Sequence, residues 1–126
     1  MTRDRESFLF DIHESARFLL EFTKNENFSR YQKDRAFRRA IERELQIIGE
    51  AMLQLRKLDP QLTGRISESE RIIGFRHVLV HGYFELKPDA VWDILKNKVK
   101  ILVAEVRELL LAAGFTIKEQ DDCNEL

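Results

Sequence analysis

The stretch Arg76-His77-Val78-Leu79-Val80-His81-Gly82-Tyr83 places an arginine, two histidines and a tyrosine within eight residues. The whole chain holds only three histidines, so the groups able to move protons near neutral pH are concentrated here. An arginine grips a phosphate through two parallel hydrogen bonds and does not lose its charge. A histidine gives and takes protons in the physiological range. Together they suffice to cleave RNA without a metal. Spacing restricts how they can cooperate. Five residues of straight helix separate Arg76 from His81 by about 140° around the axis, so the two do not face the same way. Either the helix ends near His81 and turns the ring inward, or two copies of the chain meet and each contributes across a shared cleft. His77 and His81, four apart, do share a face. That is also the spacing of a two-histidine metal pair, but Glu85 is the only local third ligand, and no metal or other cofactor is expected. His13, beside Glu14, reads as a surface residue.

Basic residues gather elsewhere. Arg30, Lys33, Arg35, Arg38, Arg39 and Arg43 form one run, interrupted by Asp34 and Glu42, and Lys96, Lys98 and Lys100 form another. Such runs are ordinarily solvated faces. If they flank the cleft, Arg35, Arg38, Arg39 and Arg43 are the candidates for nonspecific attraction to RNA phosphates.

The elements that must position these groups read as helices. Phe8, Ile12, Ala16 and Leu19 mark a first helix over about 4–24, followed by a polar turn at Lys24-Asn25-Glu26-Asn27. Phe37, Ile41, Leu45, Ile48, Met52 and Leu55 mark a second over about 28–58, ended by Asp59-Pro60. Residues 60–68 read as a loop, after which Ser67 or Ser69 could cap a third helix running to Val80 or His81, with Gly82 as its stop. Pro88 suits the first turn of a fourth helix. Its stripe is Val91, Leu95, Val99, Leu102, Val106, Leu109 and Ala113, and Gly114 is its cap. Trp92, Ile94, Ile101 and Leu110 lie off that stripe, where a dimer partner or another helix of the same chain would cover them. Gly49 sits inside the second helix, where glycine costs about 1 kcal/mol relative to alanine; a close helix crossing would explain it.

The fold class is therefore all-α, a bundle of about four main helices. A chain of 126 residues has one core. A content of 44% hydrophobic and 34% charged residues excludes global disorder. No apolar run approaches the roughly 18–20 residues of a membrane span, and the charged N-terminus is not a secretory signal. The lone Cys123 suits a reducing, cytoplasmic setting. The net charge of −1 conceals an asymmetry. Glu119, Asp121, Asp122 and Glu125 make 119–126 an acidic tail expected to be flexible, and the remaining 1–118, the domain, carry 21 basic against 18 acidic residues.

Arg76-x4-His81 followed by Tyr83 resembles the Arg-x4–6-His signature of the HEPN superfamily. The longer segment from Ile73 to Tyr83 looks like the HepT toxin family within it. Asp11-Ile12, Ile47-Ile48-Gly49-Glu50-Ala51 and Val91-Trp92-Asp93-Ile94 resemble that family's words in the same order. The likeness covers roughly residues 8–110. One departure is His77, where the superfamily often has Asn. The resemblance implies a HEPN-like helical bundle that homodimerises with two motifs in a shared cleft. It implies a metal-independent endoribonuclease toxin of a toxin-antitoxin system, with catalytic Arg76 and His81 and a supporting or phosphate-orienting His77. It also implies an antitoxin partner, a minimal nucleotidyltransferase known as MntA, which transfers AMP to the motif tyrosine, by position Tyr83. Two competing readings remain: a noncatalytic helical dimer that binds nucleotide or RNA, and a partner subunit of a nucleotidyltransferase.

Overall fold

The structure, a computed structural model, describes residues 4–117. The expected acidic tail at 119–126, with Cys123, and the domain end at 118 lie outside them. The first helix, α1 (Arg5–Phe22), begins where the Asp4 carboxylate accepts a hydrogen bond from the Ser7 N–H at 2.9 Å, satisfying one of the donors a helix start leaves open. It buries Leu9, Ile12, Ala16 and Leu19. His13 is buried too, at 6% exposure, contrary to its reading as a surface residue. It lies four residues after Leu9 and three before Ala16, so helical periodicity puts it on the same inner face.

The expected second helix is two. α2 (Phe28–Lys33) is capped by Asn27, and α3 (Arg35–Leu58) is capped by Asp34. Asp34 is extended at φ −95°, ψ 102°, and its carboxylate accepts from the Phe37 N–H at 3.1 Å. The side chain thus offers the backbone a better arrangement than continued helix, the reason Asp favours caps over interiors. The apolar stripe begins only at Phe37, so periodicity carried no information about residues 28–36. From there the six stripe residues of α3 are all buried. Truncating one such side chain to alanine typically costs about 2–5 kcal/mol.

Asp59 caps again, accepting from the Leu62 N–H at 3.0 Å and opening the one-turn α4 (Pro60–Thr63) inside the expected loop. α5 (Ser69–His81) carries the motif. Neither serine caps it. Ser67 is held by Glu105, through its N–H at 2.9 Å and its hydroxyl at 2.5 Å, and Glu68 occupies the cap position with φ 59°. A 3-10 turn, Tyr83–Glu85, follows Gly82.

The expected fourth helix is also two, α6 (Pro88–Asn97) and α7 (Val99–Ala112), broken at Lys98. α6 leans on α2 while α7 leans on α1, so the chain bends where its support changes. Gly114 adopts φ +97°, a conformation in which a side chain would be strained, just past the end of α7. Of the four off-stripe residues, Leu110 is buried, and Trp92 packs against Phe28 and Tyr31 of α2 with ring centroids 6.4 and 5.9 Å away. Ile94 and Ile101 instead line an apolar cavity of about 430 Å³ shared with Phe75 and Val78 of α5. The core draws on α1, α3, α6 and α7, and α5 packs against α3. No helix of the described residues is long and apolar enough to cross a membrane.

Candidate active site

Arg76 is set by the backbone opposite it. A Cβ placed on Gly49 would lie 2.2 Å from Arg76 Cβ, 2.8 Å from Arg76 Cγ and 3.3 Å from the Ile72 carbonyl oxygen. Only glycine lets α5 approach α3 this closely, which accounts for a residue that otherwise weakens α3. One residue on, Glu50 pairs with the Arg76 guanidinium at 2.7 Å. The arginine is therefore held at its stem by shape and at its tip by charge. Its buried Nε has no hydrogen-bond partner among the described residues. Arg76 lines a cavity of about 230 Å³ together with Phe8 and Asp11 of α1 and Arg43 and Glu50 of α3. Two guanidinium groups and two carboxylates share this space, so an anion entering it meets both arginines but must displace Glu50 from one.

The histidines look elsewhere. α5 is unbroken to His81, so the five-residue offset from Arg76 is preserved and the helix does not turn the His81 ring inward. His77 and His81 are both exposed and face each other with ring centroids 4.8 Å apart. No group of three or more His, Cys, Asp or Glu residues gathers among the described residues. Val80 and Phe84 are exposed nearby, and Phe84, at 104% exposure, is covered by nothing among the described residues. Gly74, in the middle of α5, has no atom within 4 Å of where its Cβ would lie. Unlike Gly49, it has no neighbour among the described residues that requires it.

Tyr83 leaves the surface through its hydroxyl, which donates to Glu42 Oε1 at 2.7 Å. The Tyr31 hydroxyl donates to the other oxygen of the same carboxylate at 2.8 Å. Glu42 is 6% exposed, and a buried carboxylate needs such partners. Burial pushes the Tyr83 phenol above its ordinary range, and the hydrogen bond to Glu42 adds to the rise. Burial raises Tyr31 much further.

The four arginines singled out from the sequence divide. Arg35, Arg39 and Arg43 recur at intervals of four along one exposed face of α3. Arg39 stands with its guanidinium carbon 5.8 Å from the Tyr83 ring centroid, and Arg43 stands beside Arg76. Arg38 is turned inward and donates to the Gln32 carbonyl oxygen at 2.8 Å, closing the end of α2. Glu42, Glu50 and Tyr31 were not picked out by sequence. For Glu42 a signal existed: it follows Ile41 and precedes Leu45 by three, so an acid lies on the buried stripe and must be partnered.

Residues 12–109 match the family model described as "Ribonuclease HepT-like". "Putative RNase MJ1380" of Methanocaldococcus jannaschii is 34% identical over 104 residues, covering 82% of this chain and 94% of its own. "Putative RNase TTE0752" of Caldanaerobacter subterraneus subsp. tengcongensis is 32% identical over 103 residues, with 82% and 91% covered. "Probable ribonuclease HepT" of Thermococcus cleftensis is 29% identical over 113 residues, with 86% and 98% covered. No solved structure matches at the same stringency.

Proposed function

The chain belongs to the HepT-like ribonuclease family, and from that premise we propose that it is a metal-independent endoribonuclease, the toxin of a toxin-antitoxin pair acting in the cytoplasm. The observation that carries this reading is the position of Arg76, wedged against Gly49, paired with Glu50 and lining a cavity with Arg43. In the proposed reaction the RNA 2′-hydroxyl attacks the adjacent phosphorus. Arg76 stabilises the charge that grows on the phosphoryl oxygens, with Glu50 yielding to the phosphate. His81 assists as general base or acid, and His77, whose ring lies beside it, orients the phosphate or shares the proton. The products are a 2′,3′-cyclic phosphate and a 5′-hydroxyl, and DNA survives.

Arg76 and His81 then act together across a homodimer. Three features of α5 and its surroundings support this: Gly74 open to close approach, the apolar cavity between α5, α6 and α7, and the bare Phe84. The antitoxin is an MntA-like nucleotidyltransferase, and its target is Tyr83, 39% exposed and two residues beyond His81. AMP placed there brings bulk and negative charge to the ground that RNA phosphates would occupy beside Arg39.

The test is unmodified protein incubated with total RNA in EDTA, beside Arg76→Ala and His81→Ala. Cleavage by the wild type alone, with cyclic phosphate ends, is the expected result. Ends bearing a 3′-hydroxyl, or full activity of Arg76→Ala, would overturn the mechanism. Tight RNA binding without cleavage would favour the noncatalytic dimer.

A further inference from the structure

We infer that Glu42 is the general base for nucleotidylation of this chain, taking the proton from Tyr83 as that hydroxyl attacks. The inference rests on the reading of Tyr83 as the nucleotide acceptor and adds to it a residue supplied by the acceptor itself. An activated nucleophile is recognised by a base within hydrogen-bond reach and a third group that orients the base. Tyr83, Glu42 and Tyr31 meet this description with distances of 2.7 and 2.8 Å. Tyr31 is itself fixed: it is 1% exposed and stacked among Phe28 and Trp92. Glu42 is thus aimed by a rigid neighbour, with one oxygen committed to Tyr31 and the other to the acceptor hydroxyl.

The need for a base follows from the setting. Tyr83 is pushed above the ordinary phenol range, so its anion is scarcely populated at neutral pH. The proton must leave as the new bond forms. In the step, Tyr83 Oη attacks the α-phosphorus of ATP, and the Oη–P bond forms while the bond to the pyrophosphate oxygen breaks. The proton passes from Oη to Glu42 Oε1, and pyrophosphate departs with the bonding electron pair. The proton later returns to solvent. Arg39, its guanidinium carbon 5.8 Å from the Tyr83 ring centroid, is a cation placed to meet the incoming phosphates.

A purely structural carboxylate would do the opposite. It would hold the hydroxyl protonated and occupied, and its removal would raise reactivity. The experiment uses this difference of sign. The full chain and Glu42→Gln, both checked for cooperative melting, are incubated with an MntA-type nucleotidyltransferase and ATP labelled on the α-phosphate, and the initial rate of labelling at Tyr83 is read by mass spectrometry. In parallel, N-acetylimidazole, a small phenol-reactive electrophile, reports the reactivity of the same hydroxyl without a partner enzyme. Glu42→Gln should slow labelling by roughly a hundredfold or more and slow acetylation as well. Tyr31→Phe, which leaves the base but loosens its aim, should lower kcat for labelling and leave KM for ATP unchanged. If Glu42→Gln does not fold, Glu42→Asp keeps the charge and withdraws it by one methylene; slower labelling is again expected, and an unchanged rate overturns the role. Labelled wild type with an equal rate in Glu42→Gln, or faster acetylation of the variant, overturns the role of Glu42 alone. Absence of label on wild-type Tyr83 overturns the acceptor reading and this role with it.

Discussion

The two sides of α5 are built in different ways. On one side Arg76 meets α3 through the missing side chain of Gly49 and the carboxylate of Glu50, and both shape and charge are settled within the chain. On the other, His77 and His81 stand in the open, with Phe84 exposed just beyond the helix, and Gly74 has no neighbour among the described residues. On the proposed reading, this contrast between the two sides is that of a cleft completed by a second copy of the chain. The contrast also separates tasks. In the proposed reaction Arg76, as the charge-stabilising group, would be held rigid, as electrostatic catalysis demands, while His77 and His81 would gain their final surroundings from a second surface.

The sharpest way to break this comparison is complementation. Arg76→Ala and His81→Ala should each lower RNA cleavage by about 10²–10³-fold. Mixing the two inactive proteins should restore roughly a quarter of wild-type activity if the sites form across a dimer, since about half the dimers are mixed and each has one intact site. No recovery, with mixed dimers confirmed by mass spectrometry, would mean that each chain closes its own site. Next in size is Gly49→Ala. The new methyl must push Arg76 and the α5 backbone away, so melting should show a loss of about 1–3 kcal/mol and cleavage should fall by at least about tenfold. Wild-type activity in this variant would mean that the Arg76 side does not need its close contact.

Smaller effects probe each side alone. Glu50→Ala removes the tether on Arg76, and kcat/KM should fall by about tenfold through loss of orientation. A rise instead would show that Glu50 competes with the phosphate more than it guides the arginine. Phe84→Ser should leave the stability of the isolated fold within about 0.5 kcal/mol, yet weaken dimerisation in analytical ultracentrifugation. The smallest expected effect lies at the entry to α3. The Asp34 carboxyl is held below its ordinary range, chiefly because the Phe37 N–H donates to it. Its stabilisation is present above pH about 4 and disappears as acid protonates it. Asp34→Ala should therefore melt below the wild type at neutral pH, and the gap should close as the pH falls through that range.

The apolar stripes of α1, α3 and the α6–α7 pair were legible because burial recurs with the helical period. Their interruptions at Asp34 and Lys98 were not. Asp34 becomes a break only through a hydrogen bond that its side chain makes to Phe37, and Lys98 only because α6 and α7 rest on different neighbours. Gly49 invited a close crossing, but the sequence did not say that Arg76 would be what crossed there. His13 followed the inner face of α1 although its polarity suggested the outside. In the site, the spacing of Arg76 and His81 already excluded a shared face on a straight helix, and α5 keeps that geometry. Glu42 passed as an interruption in a basic run, since its partners Tyr31 and Tyr83 lie 11 and 41 residues away.

Glu42 and Glu50 stand on the same uninterrupted helix, and through them α3 touches both Tyr83 and Arg76. Eight residues of helix fix a separation of about 12 Å along the axis. One residue gained or lost between them would shift that distance by about 1.5 Å and, more damagingly, rotate one contact by about 100° relative to the other. Insertions and deletions should therefore be barred from residues 42–50. A library of single-codon insertions selected for function would show α3 as a stretch of unchangeable length.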